Sequence, residues 1–160
     1  MEDLLNKESV KRVLKVLNDF DQSIKVQNLD TTARTAKDAA ESLKTEIGSI
    51  VKSLLLRRQS SFLLCLVAGD KRCSLNKIKK ILEKKDVSMA NADEVKINTG
   101  FSIGGVSPVA HIKNLDILID KSLNRFQYVY AAAGHPNCVF KIQFNQLVKL
   151  TSGEIKEIAE

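Results

Sequence analysis

Apolar residues recur at Val10, Val13, Leu14 and Leu17, with Phe20 beyond, in an otherwise polar stretch. That i, i+3, i+4, i+7 spacing predicts an amphipathic helix over "ESVKRVLKVLNDF". "SIKVQNL" alternates and predicts a short strand. "TAKDAAESLKTEIG" then predicts a second helix. Thr35 is its N-cap, Asp38 stands at N3 close to a capping box, and Ala39, Ala40 and Leu43 face inward. Gly48 closes the following turn. Two dense apolar runs, "SIVKSLLLRR" and "SSFLLCLVAG", joined through "RQSS", predict a hairpin. "SLNKIKKILEKK" predicts a basic amphipathic helix with Leu75, Ile78, Ile81 and Leu82 inward. "NADEVKINTG" predicts a short helix stopped by Gly100. "LDILID", "QYVYAAA" and "CVFKIQ" read as strands, and "NQLVKLTSG" closes with a helix.

Helices interrupting several strands imply an α/β (α+β) fold. The hairpin-length connections favour a mixed, largely antiparallel sheet, barrel-like and surrounded by helices. A length of 160 residues suits one domain over 1–160. No repeat, low-complexity segment or Pro/Gly/Ser-rich linker divides the chain.

Composition narrows the function classes. At 44% hydrophobic residues the chain can bury a real core. Its longest apolar run is broken by Arg57 and Arg58, and no run is long enough to span a membrane. The N-terminus is charged throughout and does not read as a signal peptide, so a cytoplasmic location and no membrane partner are expected. The net charge of +6 and pI of about 9.2 fit a polyanion partner such as RNA. With 5% aromatic residues and no Trp, an extended base-stacking platform is not expected. Three cysteines without a CxxC pair argue against a disulfide framework and against zinc. Cys65 and Cys138 read as buried small hydrophobes. There is no HExxH, no GxSxG, no phosphate-binding loop and no dinucleotide fingerprint, so neither metal nor cofactor is expected.

Three features could carry chemistry. In a strand, Lys52 shares a face with Ile50, Leu54 and Leu56. A buried ammonium must find water, a counter-charge or a ligand, so Lys52 reads either as functional or as a snorkelling strand-end lysine. Gly104-Gly105-Val106-Ser107-Pro108 joins two permissive residues to one rigid one. Consecutive amides there could converge on an anion or oxyanion; the other reading is an ordinary turn. In "AAAGHPN", Ala131 to Asn137, three alanines leave room beside a strand, and Gly134 and Pro136 turn the chain. His135 at the tip could bind or exchange a proton, or simply face solvent. His111 and Ser107 have no sequence-visible triad partners.

The order and spacing of "AAESLKTEIGSIVKSLLL", "TGFSIGGVSPVAH" and "YVYAAAGHPN" closely resemble the YbaK / prolyl-tRNA-synthetase-associated domain family, over roughly residues 25 to 150. The lysine inside I-V-K-S-L and the GxxxP loop are its most specific marks. The resemblance implies a freestanding editing domain that hydrolyses amino acids wrongly esterified to tRNA, chiefly tRNA(Pro). It implies that Lys52 is the essential lysine and that Gly104, Gly105, Val106, Ser107 and Pro108 hold the substrate carbonyl region. Ala133, Gly134, His135 and Asn137 match the turn where related domains contact substrate. Cysteine-specific members carry an acidic residue on the strand after that turn, where this chain has Val139. The substrates implied are therefore small residues: alanine, serine, threonine or 2-aminobutyrate before cysteine.

The chemistry so implied is hydrolysis of an activated ester, for which positioned water and oxyanion stabilisation suffice. Arg57, Arg58, Lys71, Arg72, Lys77, Lys79, Lys80 and Lys84 are candidates for tracking the tRNA backbone. Selection of the tRNA would rest on acceptor-stem contacts or on a partner prolyl-tRNA synthetase. The alternative class is a non-catalytic module that binds a tRNA 3′ end or another small ligand.

Overall fold

The structure, a computed structural model, describes residues 4–29 and 35–160. The first helix, α1 (Glu8–Phe20), buries Val10, Val13 and Leu17 on one stripe, as their spacing requires. A short strand, β1 (Val26–Asn28), follows. Helix α2 (Ala36–Leu43) starts where Thr35 Oγ1 accepts a hydrogen bond from Asp38 N, and buries Ala39 and Ala40. A 3₁₀ turn, Ile47–Ser49, leads into β2 (Val51–Arg58), which forms a hairpin with β3 (Ser61–Ala68). The register runs from Arg58↔Ser61 to Val51↔Ala68.

Helix α3 (Leu75–Leu82) is capped by Ser74, and α4 (Ala92–Thr99) by an Asn91/Glu94 capping box. Between them lies β4 (Val87–Met89). Gly100 ends α4 in the left-handed region, at φ 81°. Then come β5 (Asp116–Asp120), β6 (Tyr128–His135), β7 (Cys138–Gln143), α5 (Phe144–Thr151) and β8 (Glu154–Lys156).

Two sheets result, ordered β4-β2-β3-β5-β8 and β1-β7-β6. β3–β5 and β5–β8 pair in parallel; the other pairs are antiparallel. The mixed, largely antiparallel class is as expected. The barrel is not closed: among the described residues, a single parallel bridge, Ile50↔Tyr130, joins the sheets.

β3 is central and buried on both faces. Leu64, Leu66 and Ala68 join the main core with the α1 stripe. Leu63, Cys65 and Val67 join a second core with Ile78 of α3. Asp120, buried at the end of β5, accepts from Ser122 N, Ile158 N and Ala159 N at 3.0, 2.8 and 3.0 Å. This carboxylate pins the C-terminal segment to the sheet and is fully satisfied in doing so.

Candidate functional site

A cavity of about 400 Å³ opens where β2 parts from β6. One wall is Ile50 with the adjoining β2 residues Val51 to Leu55. Across from it stand Tyr130 and Ala132 of β6 and Val139 of β7. Ile103, Gly104 and Val106 form another wall, with Ala36 and Ala39 of α2 behind. The lining is mostly apolar, and the polar groups are few and specific, as in small-ligand sites.

Lys52 is one of them. Strand alternation puts it on the face of Leu54 and Leu56, above the second core, as expected. The side chain escapes that face by reaching the turn after β3, where Nζ donates to the Lys71 carbonyl. Burial holds its pKa below the usual lysine range, and Cys73 and Asp70 partly offset the shift. A desolvated ammonium at a cavity wall is suited to hold a phosphate, ribose or carbonyl oxygen.

The 99–111 segment is held from behind. Arg12 of α1 donates from Nη2 to the carbonyls of Thr99 (3.2 Å) and Ala110 (3.1 Å), and its guanidinium lies 4.6 Å from the Phe101 ring centroid. His111 Nε2 lies 2.7 Å from the Ser107 carbonyl oxygen. Burial, with Arg12 adding to it, keeps the His111 pKa low, so the neutral ring is favoured and Nε2 donates to that carbonyl. Ser107 Oγ accepts from Val109 N, which ties the hydroxyl into the loop.

Within the loop, Gly104 and Val106 line the cavity, while Gly105, Ser107 and Pro108 are buried behind them. Gly104 sits at φ +94°, a conformation that favours glycine. The Gly105 amide is used by Ser102 O at 2.9 Å. The amides of Gly104 and Val106 have no partner among the described residues.

The second motif meets the first here. A Cβ on Gly105 would come within 2.9 Å of His135 Cα, and a Cβ on Gly104 would touch Pro136 at 3.6 Å. Pro136 and Ala132 supply cavity wall. Ala133 is buried in the main core, and Gly134, at φ +93°, packs against the Ser9 carbonyl of α1. His135 Nδ1 accepts from Asn137 N at 3.0 Å, fixing the turn. Lys52, the 104–108 loop and the 131–137 turn are therefore brought together. Ala133, Gly134, His135 and Asn137 stand behind the cavity, not on its surface.

Ser53 and Tyr130 are wall residues that sequence reasoning did not single out, whereas Ala132 is one of the three alanines expected to leave room there. Alternation assigns one face of a strand to one job. This cavity runs along an unpaired strand edge, so residues from both faces of β2 reach it. Of the basic candidates, Arg57 pairs with Glu94 at 3.2 Å and Arg58 with Asp116 at 3.4 Å, while Lys77 Nζ donates to Ala159 O at 2.6 Å. Arg72, Lys79, Lys80 and Lys84 have no ion pair among the described residues. The three cysteines are free thiols, with Cys65 and Cys138 buried. Among the described residues no cluster of His, Cys, Asp or Glu could hold a metal, and no helix is long and apolar enough to cross a membrane.

Comparison with known proteins identifies the family and the fold. The profile of the aminoacyl-tRNA editing domain matches residues 30–150. The uncharacterized protein YwhH of Bacillus subtilis (strain 168) is 28% identical over 148 residues, covering 92% of this chain and 94% of YwhH. The proline–tRNA ligase of Lactobacillus acidophilus is 33% identical over 107 residues, which is 67% of this chain but 19% of the ligase. That of Kosmotoga olearia is 36% identical over 87 residues, 54% of this chain and 15% of the ligase. The chain thus spans under one fifth of these ligases. A crystal structure described as a candidate trans-editing enzyme for prolyl tRNA synthetase superposes with a TM-score of 0.91 at 34% identity, covering 96% of this chain and 98% of that one. The mixed sheets, the superposition and the profile match converge: this chain belongs to the aminoacyl-tRNA editing domain family, related to the editing regions of prolyl-tRNA synthetases.

Proposed function

We propose that the protein is a cytoplasmic trans-editing hydrolase that deacylates mischarged aminoacyl-tRNA. The substrate is tRNA(Pro) carrying a small non-cognate residue: alanine, serine, threonine or 2-aminobutyrate, with cysteine disfavoured. The observation that carries this reading is the apolar cavity of about 400 Å³ with Lys52 on one wall and the Gly104/Val106 loop on another. Action in trans is proposed by analogy with the superposed structure, described as a candidate trans-editing enzyme for prolyl tRNA synthetase.

In this reading, the 3′ end of the tRNA enters with its aminoacyl ester. Lys52 holds the terminal phosphate or ribose. Water attacks the ester carbonyl, and the Gly104 and Val106 amides receive the developing oxyanion. The carbonyl–ribose oxygen bond then breaks; the ribose regains its hydroxyl and the amino acid leaves with a carboxyl group. His135 and Asn137 act as positioning residues through the backbone against Gly105. Ala132, Tyr130 and Val139 bound the side-chain space. Val139 gives a thiol no acidic partner, which disfavours cysteine. An apolar wall discriminates by about 1–3 kcal/mol per methylene, so some cross-reactivity follows. Arg72, Lys79, Lys80 and Lys84 track the phosphate backbone, and salt weakens binding accordingly.

The test is a deacylation panel of Ala-, Ser-, Thr-, 2-aminobutyryl-, Cys- and Pro-tRNA(Pro). Turnover of the small residues with Pro-tRNA(Pro) spared is expected. No turnover above buffer for any of them rejects the hydrolase, and tight tRNA binding without turnover identifies a binding module instead.

A further inference from the structure

Gly69 N donates to Ile50 O at 2.8 Å, which sets the phase of the β2–β3 ladder. Bonded and non-bonded pairs alternate in an antiparallel ladder. Lys52 and Leu54 therefore turn N–H and C=O toward β3, whereas Val51, Ser53 and Leu55 turn theirs away. On that far side, Leu55 O accepts from Ala90 N at 3.0 Å, and β4 pairs with Leu56 to Arg58. At the other end Ile50 bridges Tyr130. Ser53 lies between, with no strand opposite. Among the described residues, no strand ladder or bridge covers its N–H and C=O on that side. Ser53 Oγ is also buried without a hydrogen bond. An unpaired hydroxyl and a main-chain N–H and C=O outside any ladder thus stand on the cavity wall, next to Lys52.

Buried polar groups are almost always paired, so an orphaned hydroxyl beside a ladder-free strand edge at a cavity wall points to a ligand that completes it. An edge residue in this phase offers one donor and one acceptor, the two-point complement of a single amino-acid backbone. We propose that Ser53 recognises the backbone of the esterified amino acid, pairing with it as a one-residue strand. The Ser53 carbonyl and Oγ accept from the α-ammonium, and the Ser53 N–H donates to the ester carbonyl oxygen. The enzyme thereby requires a free α-amino group and rejects N-acylated esters such as peptidyl-tRNA. The amino-acid side chain projects away from this contact toward the walls that measure its size.

This inference rests on the editing reading, and two measurements separate them. The first compares Ala-tRNA(Pro) with N-acetyl-Ala-tRNA(Pro) in deacylation. The second compares binding of 3′-alanylamino-3′-deoxyadenosine with its 3′-propionylamino counterpart, which lacks the amino group and needs no hydrolysis. The wild-type protein is expected to favour the free-amino member of each pair at least 10-fold. Ser53→Ala should lower kcat/KM on Ala-tRNA(Pro) about 10-fold, leave the N-acetyl substrate unchanged and shrink the binding preference; Ser53→Thr should restore it. Ser53→Ala should also unfold at no lower urea concentration than wild type, because it deletes an unpaired hydroxyl. Amino-dependent binding without hydrolysis supports Ser53 and rejects editing. Hydrolysis or binding that ignores the amino group, or that Ser53→Ala leaves unchanged, overturns the Ser53 role.

Discussion

The backbone of Gly105 rests on the backbone of His135, so close that a Cβ on Gly105 would meet Cα, C and N of His135 at 2.9, 3.1 and 3.1 Å. The atoms in the way are main chain and cannot swing aside. Gly105→Ala should therefore destabilise the fold by about 1–3 kcal/mol, as overpacking does, and lower deacylation by pushing the loop off the cavity. Gly104→Ala has room, with Pro136 at 3.6 Å, but must hold a left-handed backbone costing about 1–2 kcal/mol. Urea denaturation of both variants, beside their kcat and KM, separates the two causes. Retained activity in Gly105→Ala would remove the contact from the site's architecture.

Lys52→Ala should reduce kcat/KM at least about 100-fold, the scale of losing one transition-state contact, while the urea midpoint holds. Burial lowers the Lys52 pKa, so the charged form is lost as pH rises through a value below 10.5. Activity corrected for spontaneous ester hydrolysis should show an alkaline limb there, and Lys52→Arg should move that limb upward. Stability runs the other way: between the lowered pKa and 10.5 the unfolded chain binds more protons, so the fold gains stability with pH. An alkaline limb that survives in Lys52→Ala would assign it elsewhere.

His111 predicts an acid-side effect. Its folded pKa lies below 6.5, mainly through burial. Above 6.5 both states are neutral and its contribution is constant. As pH falls below 6.5 the unfolded chain takes up the proton first, and stability drops until the folded pKa is passed. His111→Asn should flatten this part of the urea-midpoint profile between pH 7.5 and 5. The carboxylates contribute equally to both proteins, so identical slopes would contradict the assignment.

Arg12 closes the 99–111 segment like a clasp, bridging Thr99 and Ala110 while covering Phe101. Arg12→Ala should cost about 2 kcal/mol, the scale of charged hydrogen bonds. It should also raise amide exchange across residues 101–110 and lower kcat more than it changes KM. Lysine cannot span both carbonyls with a planar fork, so Arg12→Lys should rescue little. Unchanged exchange in the loop would make Arg12 merely a surface-stabilising residue.

Much of this architecture is legible in the sequence where one segment decides its own structure. The α1 stripe, the Thr35 cap and the β2–β3 hairpin each follow from local spacing. β4 and β8 do not: each is three residues long, β8 is wholly exposed, and both exist because a neighbouring strand offers an edge. Lys52 stands out because a charge on an apolar strand face breaks the pattern, and broken patterns concentrate at functional sites. Ser53 breaks nothing; its significance comes from the strand that is missing beside it. Arg12 is invisible for a different reason, since it acts on a carbonyl 98 residues away.

The lone Ile50↔Tyr130 bridge between the sheets bears on how such a site changes over time. A hydrogen-bonded ladder fixes neighbouring strands about 4.8 Å apart whatever their side chains. Beyond this bridge no ladder among the described residues sets the gap, so the side chains of Ala132, Tyr130 and Val139 do. In the proposed editing reaction, one substitution at a wall would then redirect which amino acid fits without breaking a main-chain hydrogen bond. Selectivity and foldability are thus carried by different atoms, and a lineage can retune one while the other stays in place.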